Sequence, residues 1–157
     1  GVKSRHLKFM IRNADPSRIK AFIFDWDRTL SKFEGIYAIC PSVKQLIKSF
    51  HLHSQVSVSD IAEYYLGGPN RLHALQVFWK WCQKHRIHIY ILSSNPSIGK
   101  YPHFFKQLLA SVNLPVHVND IIYRGHKTKY KYIQDMFPNL CHRKNYTCQN
   151  DTCRLLG

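Results

Sequence analysis

Residues 19–24, IKAFIF, are apolar at every position but Lys20 and run straight into Asp25-Trp26-Asp27. The run is too short and too apolar for an amphipathic helix, and without polar alternation it predicts a strand covered on both faces. Such a strand belongs to a mostly parallel sheet, with helices on each side in right-handed crossovers. The rest of the chain keeps that rhythm. IHIYIL is a second short apolar run, ending in Ser93-Ser94-Asn95-Pro96, and VHVNDIIY supplies a third strand. Between them apolar residues recur at helical spacing: Leu72, Leu75, Phe78, Trp79 and Cys82 from Arg71 to about His85, then Phe104, Phe105, Leu108, Leu109 and Val112 over 103–112. Tyr132, Ile133, Met136 and Phe137 continue the pattern in KTKYKYIQDMF. Pro41 opens one more helical stretch, and Ser59 or Asp60 caps a short helix running through Tyr65. The expected class is α/β, a Rossmann-like three-layer domain with a mostly parallel sheet.

Length and composition set the limits. A chain of 157 residues with 45% hydrophobic residues can form one domain with a substantial core. Its apolar runs fall far short of the roughly 20 residues that span a bilayer, so no membrane partner is expected. The start, GVKSRHLKFM, has bases but no long apolar segment behind them, which predicts no signal peptide; its lack of an initiator methionine is what a fragment would show. Five cysteines, an odd number with Cys40 and Cys82 inside apolar patterns, suit a reducing compartment, cytoplasmic or nuclear. The tail residues Cys141, His142, Cys148 and Cys153 lack the tight spacing of a zinc knuckle.

Charge is the strongest bulk feature. There are 23 Lys and Arg against 9 Asp and Glu, a formal +14, which points to a polyanionic partner. Residues 1–18 form a basic lead-in before the domain proper, 19–157. A second basic cluster, Arg124 to Lys144, interleaves tyrosines in KTKYKY, a composition able to follow a phosphate backbone or to form one face of a helix.

Two acidic residues only two positions apart in so basic a chain need a reason. At the carboxyl end of a parallel strand they occupy the ligand-binding edge. Residues i and i+2 point the same way, so Trp26 turns aside while the two carboxylates converge. Held together they repel, unless a hard cation with oxygen ligands, Mg²⁺ above all, sits between them.

FDWDRTL resembles the first motif of the haloacid dehalogenase-like (HAD-like) hydrolases, an apolar strand followed by Asp-x-Asp-x-Thr. The resemblance extends in order along the chain. Ser93, with Ser94 as an alternative, matches the serine or threonine that ends a second strand. Lys127 matches the lysine before a helix, with Lys129 as the weaker candidate. The fourth motif, an acidic pair ending a strand, has its nearest match in Asn150-Asp151, behind a poor strand, so it is degenerate.

The resemblance implies a Mg²⁺-dependent phosphatase. Asp25 would be the nucleophile, Asp27 the general acid and base, and Thr29 a brace for the loop. Ser93, Ser94, Asn95 and Lys127 would bind phosphate, and Asp25, Asp27 and Asp151 would hold the metal. Only a small helical cap, about residues 36–66, fits between the first two motifs. An open site of that kind suits a bulky phosphorylated substrate, a phosphoprotein or a nucleic-acid end. The rival expectation is a weakly active or inactive relative that binds nucleic acid or an acidic partner through its basic surface.

Overall fold

The apolar run becomes β1 (Ala21–Phe24), buried at all four positions. It lies inside a four-stranded sheet of order β3-β2-β1-β4, in which β2 is His88–Ser93, β3 is Ile121–Tyr123 and β4 is Cys153–Leu156. Every pairing is parallel, with Phe24 level with Ile91 on one side and with Leu156 on the other. The computed structural model describes residues 2–32, 57–136 and 153–156. The carboxyl ends of all four strands therefore line one edge. The chain leaves β1 towards β2 and β3 and returns to β4 on the opposite side, so the winding reverses between β1 and β4. Doubly wound sheets bind their ligands at such a reversal.

Alternation along the strands feeds two cores. Phe22, Phe24, Ile89, Ile91 and Ile121 join the larger one, with α1 (Ser4–Asn13), α2 (Val58–Tyr65), α3 (Pro69–Lys84), α4 (Pro96–Lys100) and α5 (Pro102–Ala110). Ile23, Leu92 and Cys153 meet Ile133 of α6 (Lys129–Met136) in the smaller one. Phe78 of α3 is fully buried edge-on to Phe22 and Phe24, at ring separations of 4.9 and 5.9 Å. Such edge-to-face pairs add to the stabilisation from buried area.

Local chemistry explains the boundaries. α2 begins with a capping box: the Ser57 hydroxyl accepts from the Asp60 N–H, and the Asp60 carboxylate accepts from the Ser57 N–H. Ser57, rather than Ser59 or Asp60, is thus the cap. α3 starts at Pro69, whose missing N–H costs nothing at a first helical position. The helix expected over 103–112 begins at Pro102, and Asn95 caps a separate short helix ahead of it. The third strand is shorter than VHVNDIIY suggests, because Val118–Asp120 tighten into a 3₁₀ turn capped by the His117 ring.

Two expectations need correction. The basic lead-in is not separate from the domain, since Leu7 of α1 is fully buried in the larger core. The strand paired with β1 follows Asn150-Asp151: it is CRLL, Cys153–Leu156, whereas the expected NYTCQ lies outside the described residues. The helix opened by Pro41 and most of the expected cap fall outside the described residues. The last residues of that expected segment form α2, which packs Ile61, Ala62 and Tyr65 into the larger core. Among the described residues no helix is long and apolar enough to cross a membrane.

Cys82 and Cys153 are free and buried, and burial pushes their thiols up to about 12 and about 11. Both should resist alkylation of the native protein at mildly alkaline pH and react once it unfolds, as peptide mapping by mass spectrometry would show. Phe78→Ala should lower the unfolding free energy by about 3–5 kcal/mol, and Val77→Ala, one position away and exposed, by about 0.5 kcal/mol or less, both by denaturant titration.

Candidate active site

Just beyond β1 the backbone stops being a strand. Asp25 keeps an extended conformation, and residues Trp26–Leu30 wind into a single wide turn. The Leu30 N–H donates to the Asp25 carbonyl and the Ser31 N–H to the Trp26 carbonyl, both five residues back. Insertions of this wide-turn type recur at functional positions. Asp27 is extended within the turn and Arg28 takes a left-handed conformation at φ 57°. Trp26 turns into the larger core against Phe105 and Tyr65, at ring separations of 5.0 and 6.2 Å. That leaves Asp25 and Asp27 partly exposed, as alternation requires, although Asp27 sits on a turn and not on a strand.

Asp25 is the best-defined member of the site. Its N–H donates to the Leu156 carbonyl at 3.0 Å, which ties it to the end of β4. Its Oδ1 accepts from the Trp26 N–H at 2.7 Å, and its Oδ2 lies 3.0 Å from the Lys129 Nζ. Both partners in this ion pair are largely sheltered, with side chains 23% and 16% exposed, so water screens them less than a surface pair. Lys129 is the first residue of α6, where a cation opposes the helix dipole and gains from a carboxylate partner. Gly125, at φ +64°, helps turn the preceding loop towards it.

Lys127, the lysine expected at the site, points elsewhere. Its Nζ lies 3.1 Å from Asp135 Oδ2, an exposed contact that holds the Asp135 carboxyl below the usual carboxylate range. Lys131 adds to that pairing from one helical turn away. Choosing between the two lysines required knowing where the helix begins.

β2 delivers Ser93 to the same edge, fully buried, its hydroxyl accepting from the Asn95 N–H at 3.0 Å. Ser94 is exposed. Asn95 is only 5% exposed; its Oδ1 accepts from the Ser97 N–H, and its Nδ2 has no partner among the described residues. An unsatisfied buried donor is uncommon enough to need a reason, and a ligand oxygen is one. Thr29 is buried, and its carbonyl is held from outside the turn.

The residue that does the holding is Arg71, which sequence reasoning missed. From the first turn of α3 its guanidinium donates to four main-chain carbonyls: Val2, Thr29, Leu30 at 2.6 Å and Leu66 at 2.7 Å. Burial lowers its pKa from the ordinary arginine value, so these carbonyls, and no carboxylate among the described residues, compensate the charge. A signal was present in LGGPNR: a cation in a helix's first turn, with no acid beside it, needs an external acceptor.

Asp151 lies outside the described residues, as does Asn150. The strand paired with β1 has its carboxyl end at Leu156, so the acidic pair does not end that strand. Among the described residues, no three His, Cys, Asp or Glu side chains cluster in a way that could hold a metal ion. The donors that are present still suit a hard cation, because Mg²⁺ takes one or two carboxylates and completes its shell with water and phosphate oxygens. Asp25 and Asp27 are the partly exposed carboxylates that the turn after β1 carries.

Replacing Arg71 by lysine keeps the charge but loses the planar fork, and one ammonium cannot serve four carbonyls. Arg71→Lys should lower the unfolding free energy by roughly 2–4 kcal/mol and broaden the amide resonances of Thr29 and Leu30, as denaturant titration and NMR would record. Comparison of the chain with protein-family models, curated proteins and solved structures finds no significant match.

Proposed function

We propose that this chain is a Mg²⁺-dependent phosphatase of HAD-like type, a Rossmann-like three-layer domain with a small cap, acting on the phosphate monoester of a bulky substrate. The observation that carries this reading is Asp25 at the reversal of the sheet, 3.0 Å from Lys129. The motif order of Asp25, Asp27, Thr29, Ser93 and a lysine supports it, as do the buried Ser93 and the Asn95 Nδ2, which has no partner among the described residues. Lys129 takes the role expected of Lys127.

In this reading an Asp25 carboxylate oxygen attacks phosphorus, the bond to the leaving oxygen breaks, and an aspartyl-phosphate forms. Asp27, protonated, gives its proton to the leaving oxygen; then, as a carboxylate, it takes a proton from the water that attacks phosphorus. That second attack releases inorganic phosphate and restores Asp25. The Ser93 hydroxyl and the Asn95 amide donate to phosphoryl oxygens, and Lys129 offsets charge on Asp25 and the phosphoryl group. Asp25 and the Asp27 backbone carbonyl would hold Mg²⁺, whose chemistry is to neutralise the gathering phosphate charge. The formal charge of +14 favours an anionic macromolecule over a small metabolite.

Phosphate release from an aryl phosphate should require Mg²⁺, stop with a chelator and vanish in Asp25→Asn. Lys129→Ala should lower kcat by about a hundredfold and Lys127→Ala by about twofold or less. Equal losses for the two lysines would remove Lys129 from the mechanism. No activity above Asp25→Asn would leave a binding protein that keeps the fold.

A further inference from the structure

Helix α1 has two unlike faces. Leu7, Met10 and Ile11 turn inwards to the larger core, where α1 lies against α3. Arg5, Lys8, Phe9 and Arg12 recur at the spacing of one helical stripe, and all four are exposed. Phe9 is 64% exposed, more than any other large apolar side chain among the described residues. The helix has no acid in its first turn, and among the described residues no carboxylate pairs with Lys3, Arg5, Lys8 or Arg12. The outer face is thus a basic stripe about 10 Å long with a single bare ring inside it.

We propose that the outer face of α1 binds single-stranded nucleic acid, with phosphates at Arg5, Lys8 and Arg12 and a base stacked on Phe9. Charge complementarity selects a polyanion, and the ring selects one whose flat groups alternate with its charges. A bilayer surface fits worse, because interfacial helices insert a broad apolar face and that of α1 is already covered by the domain. An acidic peptide would match the charge but supplies no regular stacking partner for the ring.

The stripe also has a defined start. The Val2 N–H donates to the Thr29 carbonyl at 3.4 Å, and the Val2 carbonyl accepts from Arg71, so α1 begins beside the turn that carries Asp25. It then runs back towards the amino end of β1. A strand lying along α1 would present one end near Asp25, which makes a nucleic-acid terminal phosphate the substrate class. That consequence rests on the proposed phosphatase reading; the binding itself does not.

The test is fluorescence anisotropy of a labelled oligothymidylate against the full chain over a salt series. The parent should bind with affinity that falls steeply as salt rises. Arg5→Gln/Lys8→Gln/Arg12→Gln should flatten the log–log salt slope by about 2, since each single-strand phosphate contact contributes about 0.7. Phe9→Ala should weaken binding about fivefold to a hundredfold at an unchanged slope, and Phe9→Trp should restore it. Unchanged thermal unfolding would show that these exposed substitutions leave the fold intact. Parental binding by both the triple variant and Phe9→Ala would overturn the proposal, as would anionic vesicles or an acidic peptide binding where the oligonucleotide does not. Aryl phosphate turnover, read in parallel, separates the two ideas. Binding that depends on α1 without turnover refutes only the phosphatase, and turnover with binding indifferent to α1 refutes only this surface.

Discussion

Four carbonyls converge on one guanidinium, and the site depends on that convergence. Arg71 draws together the start of α1, the turn after β1 and the end of α2, three segments with no covalent reason to meet. Its planar fork can satisfy several acceptors at once, which a compact ammonium cannot do. The turn it grips is the one that lifts Asp25 and Asp27 out of the core while Trp26 stays in. Since an isolated wide turn has little stability of its own, the external clamp is what makes the carboxylates a fixed arrangement instead of a loop sampling many.

Arg71 and Lys129 sit in the first turns of their helices, against the dipole, and each meets an acceptor: Arg71 the carbonyls and Lys129 the Asp25 carboxylate. Both interactions exchange a helix-local cost for a long-range link, and both converge on the same few residues after β1. The order of construction is therefore sheet first, then a turn, then two cations reaching in from α3 and α6. The basic excess of the chain is not uniform background. Part of it is structural at Arg71, part lies in the site at Lys129, and part is displayed outward on α1.

How much of this could be read in advance varies with the physics involved. IKAFIF and IHIYIL announce buried parallel strands because no polar alternation breaks them, and the aspartates stand out because acids are rare in this chain. Helix spacing in α3, α5 and α6 likewise follows from the positions of Leu, Phe, Trp and Ile. Which lysine meets Asp25 did not follow, since Lys127 and Lys129 differ only in where α6 begins, and boundaries are decided by tertiary contacts. The placement of β4 after Asp151 was equally hidden. Four residues, CRLL, carry too short a pattern to be recognised until β1 offers them an edge. Leu7 was obscured by the bases around it, though its burial makes α1 part of the core.

The sheet order has a consequence for how the molecule is made. Ala21 pairs with Cys153, so one flank of β1 waits until Cys153 and the residues after it have been synthesised. Until then the most apolar strand of the sheet exposes a row of unpaired amides and carbonyls, the template on which other chains can add. Closing so long a contour also slows folding, because the entropy of closure is lost before the contact forms. The strand that carries the site is thus the one left vulnerable longest during biosynthesis. Its companion β2 covers only the other flank.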